Sequence, residues 1–407
     1  MDRMRIGRIA VPGVVVSAVW MCLVSVSAAG QTPAPTVSLG FGVDTSIAEV
    51  REIVRLTRAY LTHPDSSAPS TGLWSTRAPL DARTNDLAIQ AYQGFPATIV
   101  GVTGTGPGDS VFIVKVLHAT AGSTRISPLA LQRFYAVRAI GTPYGWQLAS
   151  PLPRLTQEWP RRDVGRVTFW YEPGQKQCPA KAQHAARFVD SVARLFDVSP
   201  PKHLDVYITS STEAGERLLG LDFFPDGSGP GTGLGGRTLP AAGILFLGDP
   251  RVGEAYLHEF VHAVLGPTIR SGSAVFGEGV AVWLGGSHEK LLKTMYSLLA
   301  QYQSTYPEVS MAEVLRGDAP GGEDATTALY ATSGLIIDAI YRQSGIRGLR
   351  RFAQVRGSPD DIIRTLPEYI TGATGNIDRW WRDETKHLLS AHGAVADVEQ
   401  PGTSVTE

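Results

Sequence analysis

Cysteine is nearly absent from this chain: Cys22 and Cys178 are the only two. Cys22 lies in a stretch with the marks of a cleaved signal. The mature chain is therefore expected to hold one cysteine and no internal disulfide, even in an oxidising compartment. An excess of one charge is missing too. The formal net charge is −1, and losing Asp2, Arg3, Arg5 and Arg8 with the signal moves it only to about −3. That balance argues against a nucleic-acid partner. A usable dinucleotide fingerprint is also lacking. Gly231, Gly233 and Gly236 spell G-x-G-x-x-G, but Arg237-Thr-Leu-Pro240 follows where a helix is required.

The long apolar run sits at the N-terminus. Residues 1–30 read as a signal peptide. Arg3, Arg5 and Arg8 form a basic start, Ile9–Val26 is apolar, and Ser27-Ala-Ala-Gly30 offers small residues for cleavage. An uncleaved anchor is the alternative, since the run nears the ~18 residues of a membrane span. Pro12 and the small-residue end favour cleavage. Cys22 lacks the preceding Leu and small residues of a lipidation site. The expectation is a secreted or periplasmic protein with no stable membrane span after cleavage, of two domains rather than one.

What the chain does have is Tyr256-Leu-His-Glu-Phe-Val-His-Ala-Val264. His258, Glu259 and His262 spell H-E-x-x-H. On a helix, positions i and i+4 share one face, so both imidazoles can close on one ion. Glu259 lies about 100° round the helix from His258, placed to take a proton from metal-activated water and pass it to a leaving group. Val252, Ala255, Tyr256, Phe260, Ala263 and Val264 give the apolar stripe of a helix starting near Asp249-Pro250 and stopping at Gly266-Pro267. Two imidazoles and a carboxylate on such a helix are costly unless paired or metal-bound.

An open zinc site takes three protein ligands. Glu278 is the only carboxylate between Glu259 and Glu289, within the apolar run Ala274–Leu284, which reads as a second buried helix. A lone acid there needs a cation. Gly277 and Gly279 would let two helices approach closely. Pairing with Arg270 or capping a helix are the plainer roles for Glu278. His288, beside Glu289 and Lys290, reads as a surface histidine, and His184 and His203 lack partners at ligand spacing.

H-E-F-V-H followed by F-G-E-G-V-A-V-W resembles the gluzincin zinc metallopeptidases, most closely their peptidase MA-like group, over roughly residues 165–390. The resemblance implies Zn2+ held by His258, His262 and Glu278, Glu259 as general base, and a peptide or protein substrate. The gap from His262 to Glu278 is shorter than in the aminopeptidases of this clan. Leu329–Ile337 resembles the stretch whose tyrosine hydrogen-bonds the tetrahedral intermediate, and Tyr330 matches that tyrosine; a core tyrosine is the alternative. In such enzymes the strand before the metal helix, here Gly243–Leu247, is the sheet edge that pairs with extended substrate. A zinc amidase acting on cell-wall peptides, or a binding protein keeping a structural zinc, also fits the motif. The intact base and ligand set weighs against the last.

The expected fold class is α+β. Residues 36–159 predict one helix, opened by a Ser46-x-x-Glu49 capping box, then an antiparallel sheet over Ala97–Thr103, Ser110–Ala119, Ala130–Ile140 and Gly145–Leu152. This pattern weakly resembles NTF2-like or cystatin-like domains and holds no catalytic constellation. Leu152–Val164 reads as a linker. Residues 165–390 predict a zincin-like domain: a small mixed sheet, the H-E-x-x-H helix and a mostly helical remainder in which Trp380-Trp381 seals the core. Pro225–Gly236 reads as a mobile loop beside the cleft, and residues 391–407 as a disordered tail.

Overall fold

Two sheets, each with helices against it, carry the architecture. The computed structural model describes residues 36–62, 72–75, 96–106, 109–119, 129–223, 235–267, 274–287 and 290–393. The predicted signal, most of the glycine-rich loop, Arg270, His288 and the end of the tail lie outside the described residues. The fold is α+β with two mixed sheets.

The first sheet runs β1 (Val37–Leu39), β2 (Ala97–Gly104), β3 (Val111–Ala119), β4 (Leu129–Arg138) and β5 (Trp146–Ala149). β2 to β5 pair antiparallel as their alternating pattern predicts, while β1 runs parallel to β2. Helix α1 (Ala48–Leu61) lays Val50, Ile53, Val54 and Leu56 on one sheet face against Val114, Val116 and Phe134. The predicted capping box does not form. The Ser46 amide and hydroxyl both donate to Asp44 at 2.9 and 2.6 Å, and Ile47 takes the cap position instead. Asx-type turns compete with caps for the same short side chains.

The predicted linker is ordered structure. Ser150 caps α2 (Pro151–Thr156) by accepting from the Leu152 amide, with Pro151 in the first turn. β6 (Arg161–Val164) then pairs with β7 (Val167–Tyr171) across Gly165, whose φ of +59° suits a tight hairpin turn. The second sheet continues through α3 (Pro179–Phe196), β8 (Leu204–Ile208) and α4 (Thr212–Leu218). The next strand, β9 (Leu221–Phe223), leaves this sheet and joins the first, pairing with β4 at Leu131 and Gln132. The two sheets thus share the chain more closely than a linker between them implied.

β10 (Gly236–Leu239) and β11 (Ile244–Leu247) complete the second sheet in the order β10-β11-β8-β7-β6. β11 lies between β10 and β8 and is buried along its whole length, so it is not the sheet edge. Four consecutive apolar residues are the signature of a strand covered on both faces. The edge on this side is β10, which begins at the last residue of the predicted loop and had no strand predicted for it. One face of this sheet packs on α3 and the metal-motif helix through Phe169, Val206, Leu245 and Phe260. The other face, with Tyr207, Ile244 and Phe246, meets α2 and α4 through Leu152 and Leu218.

The rest is helical: α5 (Leu257–Leu265), α6 (Ala274–Gly285), α7 (Leu292–Thr305), α8 (Met311–Arg316), α9 (Glu323–Phe352), α10 (Pro359–Thr365) and α11 (Ile377–Gly393). α9 is broken at Gly345, where two helices were expected. α11 extends two residues beyond Ala391, the predicted start of the tail. Trp381 is fully buried and its indole N–H donates to Thr332 at 3.1 Å. No helix among the described residues is long and apolar enough to cross a membrane.

Candidate active site

The metal-motif helix is shorter than its apolar stripe implies. Asp249 turns the chain by accepting from the Arg251 amide, and Gly253 adopts φ +57°. A single 3-10 turn at Gly253–Ala255 follows, and α5 begins only at Leu257. The helix ends where Gly266 and Pro267 predict. Its first turn therefore carries His258 and Glu259 directly, both almost fully buried.

α6 lies across α5 and brings Glu278 to both imidazoles. Glu278 Oε2 is 3.2 Å from His258 Nε2 and 3.5 Å from His262 Nε2, and the two Nε2 atoms are 3.2 Å apart. A tetrahedral ion bonded at about 2.0–2.1 Å separates its donors by about 3.3–3.4 Å. The three side chains match that spacing and all offer a ligand atom within 4.8 Å of the others.

The hydrogen bonds of the cluster favour the same arrangement. The Gly286 carbonyl can only accept, so His258 Nδ1–H donates to it at 2.9 Å. In a neutral imidazole this leaves Nε2 as a lone pair aimed at Glu278 and His262. Lone pairs crowded together in this way suit a cation at their centre. In the metal-free site a proton fills part of that role. Burial opposes charge on His262, but the Glu278 carboxylate outweighs it and raises the imidazole to about 9. Burial likewise opposes charge on Glu278, yet the charge on His262 and its hydrogen bond to the carboxylate hold it well below the usual carboxylate range. The residues present fit a zinc ion: two imidazoles, one carboxylate and tetrahedral spacing.

Close backbone approach sets this geometry. A β-carbon on Gly279 would lie 2.6 Å from the Ser333 carbonyl of α9, so that glycine seats α6 on α9. Gly277, expected to act likewise, faces open space. Tyr330 of α9 presents its ring edge-on to His258, with centroids 6.0 Å apart. All five predicted residues, His258, Glu259, His262, Glu278 and Tyr330, thus meet in one place. His184 on α3 and His203 beside Asp205 stand outside the cluster.

Three contributors escaped the sequence reading. Tyr256 stacks on His258 at 6.0 Å. Gly286 supplies the carbonyl just described; the Gly285-Gly286 pair after an apolar helix was its one visible signal. Thr238 on β10 donates to Glu259 Oε2 at 2.5 Å, and nothing in the sequence marks it.

No protein-family model matches the chain, and no curated protein matches it.

Proposed function

We propose that this chain is a zinc-dependent metallopeptidase of the H-E-x-x-H…E gluzincin type, hydrolysing peptide bonds in a peptide or protein substrate. The observation that carries the reading is the convergence of His258, His262 and Glu278 at tetrahedral spacing, with Glu259 on the same helix turn. His258, His262 and Glu278 would hold the ion, and Gly286 fixes the His258 ring. When bound, zinc supplies a Lewis acid that polarises a carbonyl and makes water nucleophilic at neutral pH. Glu259 takes the proton from the attacking water and returns it to the leaving amine. The Tyr330 phenol donates to the developing oxyanion.

β10 supports an extended substrate. The Gly248 amide donates to the Gly235 carbonyl, and antiparallel alternation then turns the main-chain groups of Gly236 and Thr238 away from β11. Among the described residues no strand pairs with that side. Main-chain pairing there binds a peptide without reading its sequence.

The test is zinc content and casein hydrolysis in the wild type and in Glu259→Gln. One equivalent of zinc in both, with turnover lowered by a factor on the order of a thousand or more in the variant, supports the proposal. Undiminished turnover in Glu259→Gln, or a wild type that retains no zinc, overturns it.

A further inference from the structure

The mechanism above needs Glu259 in one rotamer, and α5 alone does not supply it. A glutamate has three side-chain torsions, and the first turn of a helix leaves them free. The constraint comes from the neighbouring strand. The Thr238 hydroxyl lies 2.5 Å from Glu259 Oε2 and 3.0 Å from the Glu259 main-chain oxygen. A hydroxyl has one proton to give, and the shorter contact has the length of a charge-assisted O–H···O⁻ bond. Two residues back, a β-carbon on Gly236 would lie 2.5 Å from Glu259 Cγ and 2.9 Å from Tyr256 Cε1. The strand backbone therefore lies directly against the glutamate stem. Arg237, between them, points to the opposite sheet face, where its guanidinium meets Glu216 at 2.7 Å.

Both halves of this clamp are rigid. Threonine is β-branched and stiff at its first torsion. Its backbone is held by the β10–β11 ladder, with Thr238 opposite Leu245. A flexible acid is thus gripped at its stem by a glycine and at one oxygen by a hydroxyl. The contact engages Oε2 and not Oε1.

We propose that Thr238 is a positioning residue, whose hydroxyl holds Glu259 Oε2 so that Oε1 serves as the base. The role rests on the metallopeptidase reading above. It also links the edge strand to the chemistry, because the residue whose main chain would pair with a peptide is the one that holds the base.

The test uses the full chain and two readouts. The first is a double-mutant cycle in chemical denaturation of the zinc-free protein: wild type, Thr238→Val, Glu259→Met and the double variant. The expected coupling is about tenfold in the unfolding equilibrium constant. The second is hydrolysis of labelled casein after zinc loading. Thr238→Val is expected to lower kcat by about ten- to a hundredfold with KM within about twofold and zinc content unchanged. Thr238→Ser, which keeps the hydroxyl, is expected to restore most of the loss. Additive denaturation midpoints, a Val variant with wild-type kcat, or a Ser variant as slow as Val overturns the proposal. A wild type without turnover but with a coupled cycle would sink the peptidase reading alone and leave the Thr238–Glu259 bond standing.

Discussion

Gly285 lies against the main chain of His258: a β-carbon there would sit 2.5 Å from the His258 nitrogen and 2.7 Å from the Leu257 carbonyl carbon. The end of α6 is thereby pressed on the start of α5. Both contacted atoms are backbone, so neither can swing aside. Gly285→Ala is expected to cost about 1–3 kcal/mol by overpacking and to weaken zinc binding, because Gly286 and its carbonyl move with residue 285. Denaturant melts and zinc retention after dialysis check this. An alanine variant with wild-type stability would show that the two helices are not in hard contact.

Glu278 pairs with both imidazoles and, in the proposed function, supplies the third zinc ligand. Glu278→Gln keeps the shape and removes the charge. Zinc retention is expected to fall far below one equivalent. In the wild type, a chelator is expected to lower the melting temperature and added zinc to restore it, since a ligand that binds only the folded chain stabilises it. Equal melting with and without zinc would contradict a folded-state site.

Tyr330 meets His258 edge-on from α9. Tyr330→Phe keeps the ring and that contact and removes only the phenol. Lower kcat by a factor on the order of a hundred, with unchanged zinc content, is the expected outcome for an oxyanion donor. Unchanged kcat would return this tyrosine to a packing role.

The first sheet carries a pH-sensitive position of its own. His118 is buried on β3 and its Nε2–H donates to Gln132 at 3.1 Å. Burial lowers its pKa below the ordinary value, and the Gln132 contact only partly offsets this. The folded state therefore takes up a proton less readily than the unfolded chain. Stability tied to the neutral ring is fully present above about pH 6.5 and is lost progressively as pH falls below it toward the lowered value of the folded state. Between about pH 6.5 and 5.5 the melting temperature of the wild type is expected to fall relative to that of His118→Gln. Parallel curves for the two proteins would show that this residue does not set the dependence.

The side-chain cluster of the candidate site was largely legible because its spacing is local. H-E-x-x-H fixes three residues by helix geometry alone, and Glu278 stood out as the one charge in an apolar run. Thr238 was not legible. It reaches Glu259 through the turn from β10 to β11, and no spacing rule connects a strand hydroxyl to a helix 21 residues later. The misplaced edge has the same origin. Gly236-Arg-Thr-Leu239 has neither clean alternation nor β-branched density, and only its pairing with β11 makes it a strand. Helix boundaries failed where a single backbone conformation decided the matter, as at Gly253 before α5. The linker expectation rested on Pro153 and Pro160, but Pro153 lies inside the capped helix α2 and Pro160 directly precedes β6.

The short strand Leu221–Phe223 covers part of β4 that, among the described residues, no other strand pairs with on that side. β5 pairs with β4 from Tyr135 to Arg138, and β9 takes up the earlier stretch at Leu131 and Gln132. On the ribosome, the N-terminal half of β4 thus waits with open amides and carbonyls until Phe223 has emerged. An unpaired strand edge is a template for joining another chain. A fragment ending near residue 160 would keep that edge permanently, and self-association rather than a stand-alone domain is its natural fate.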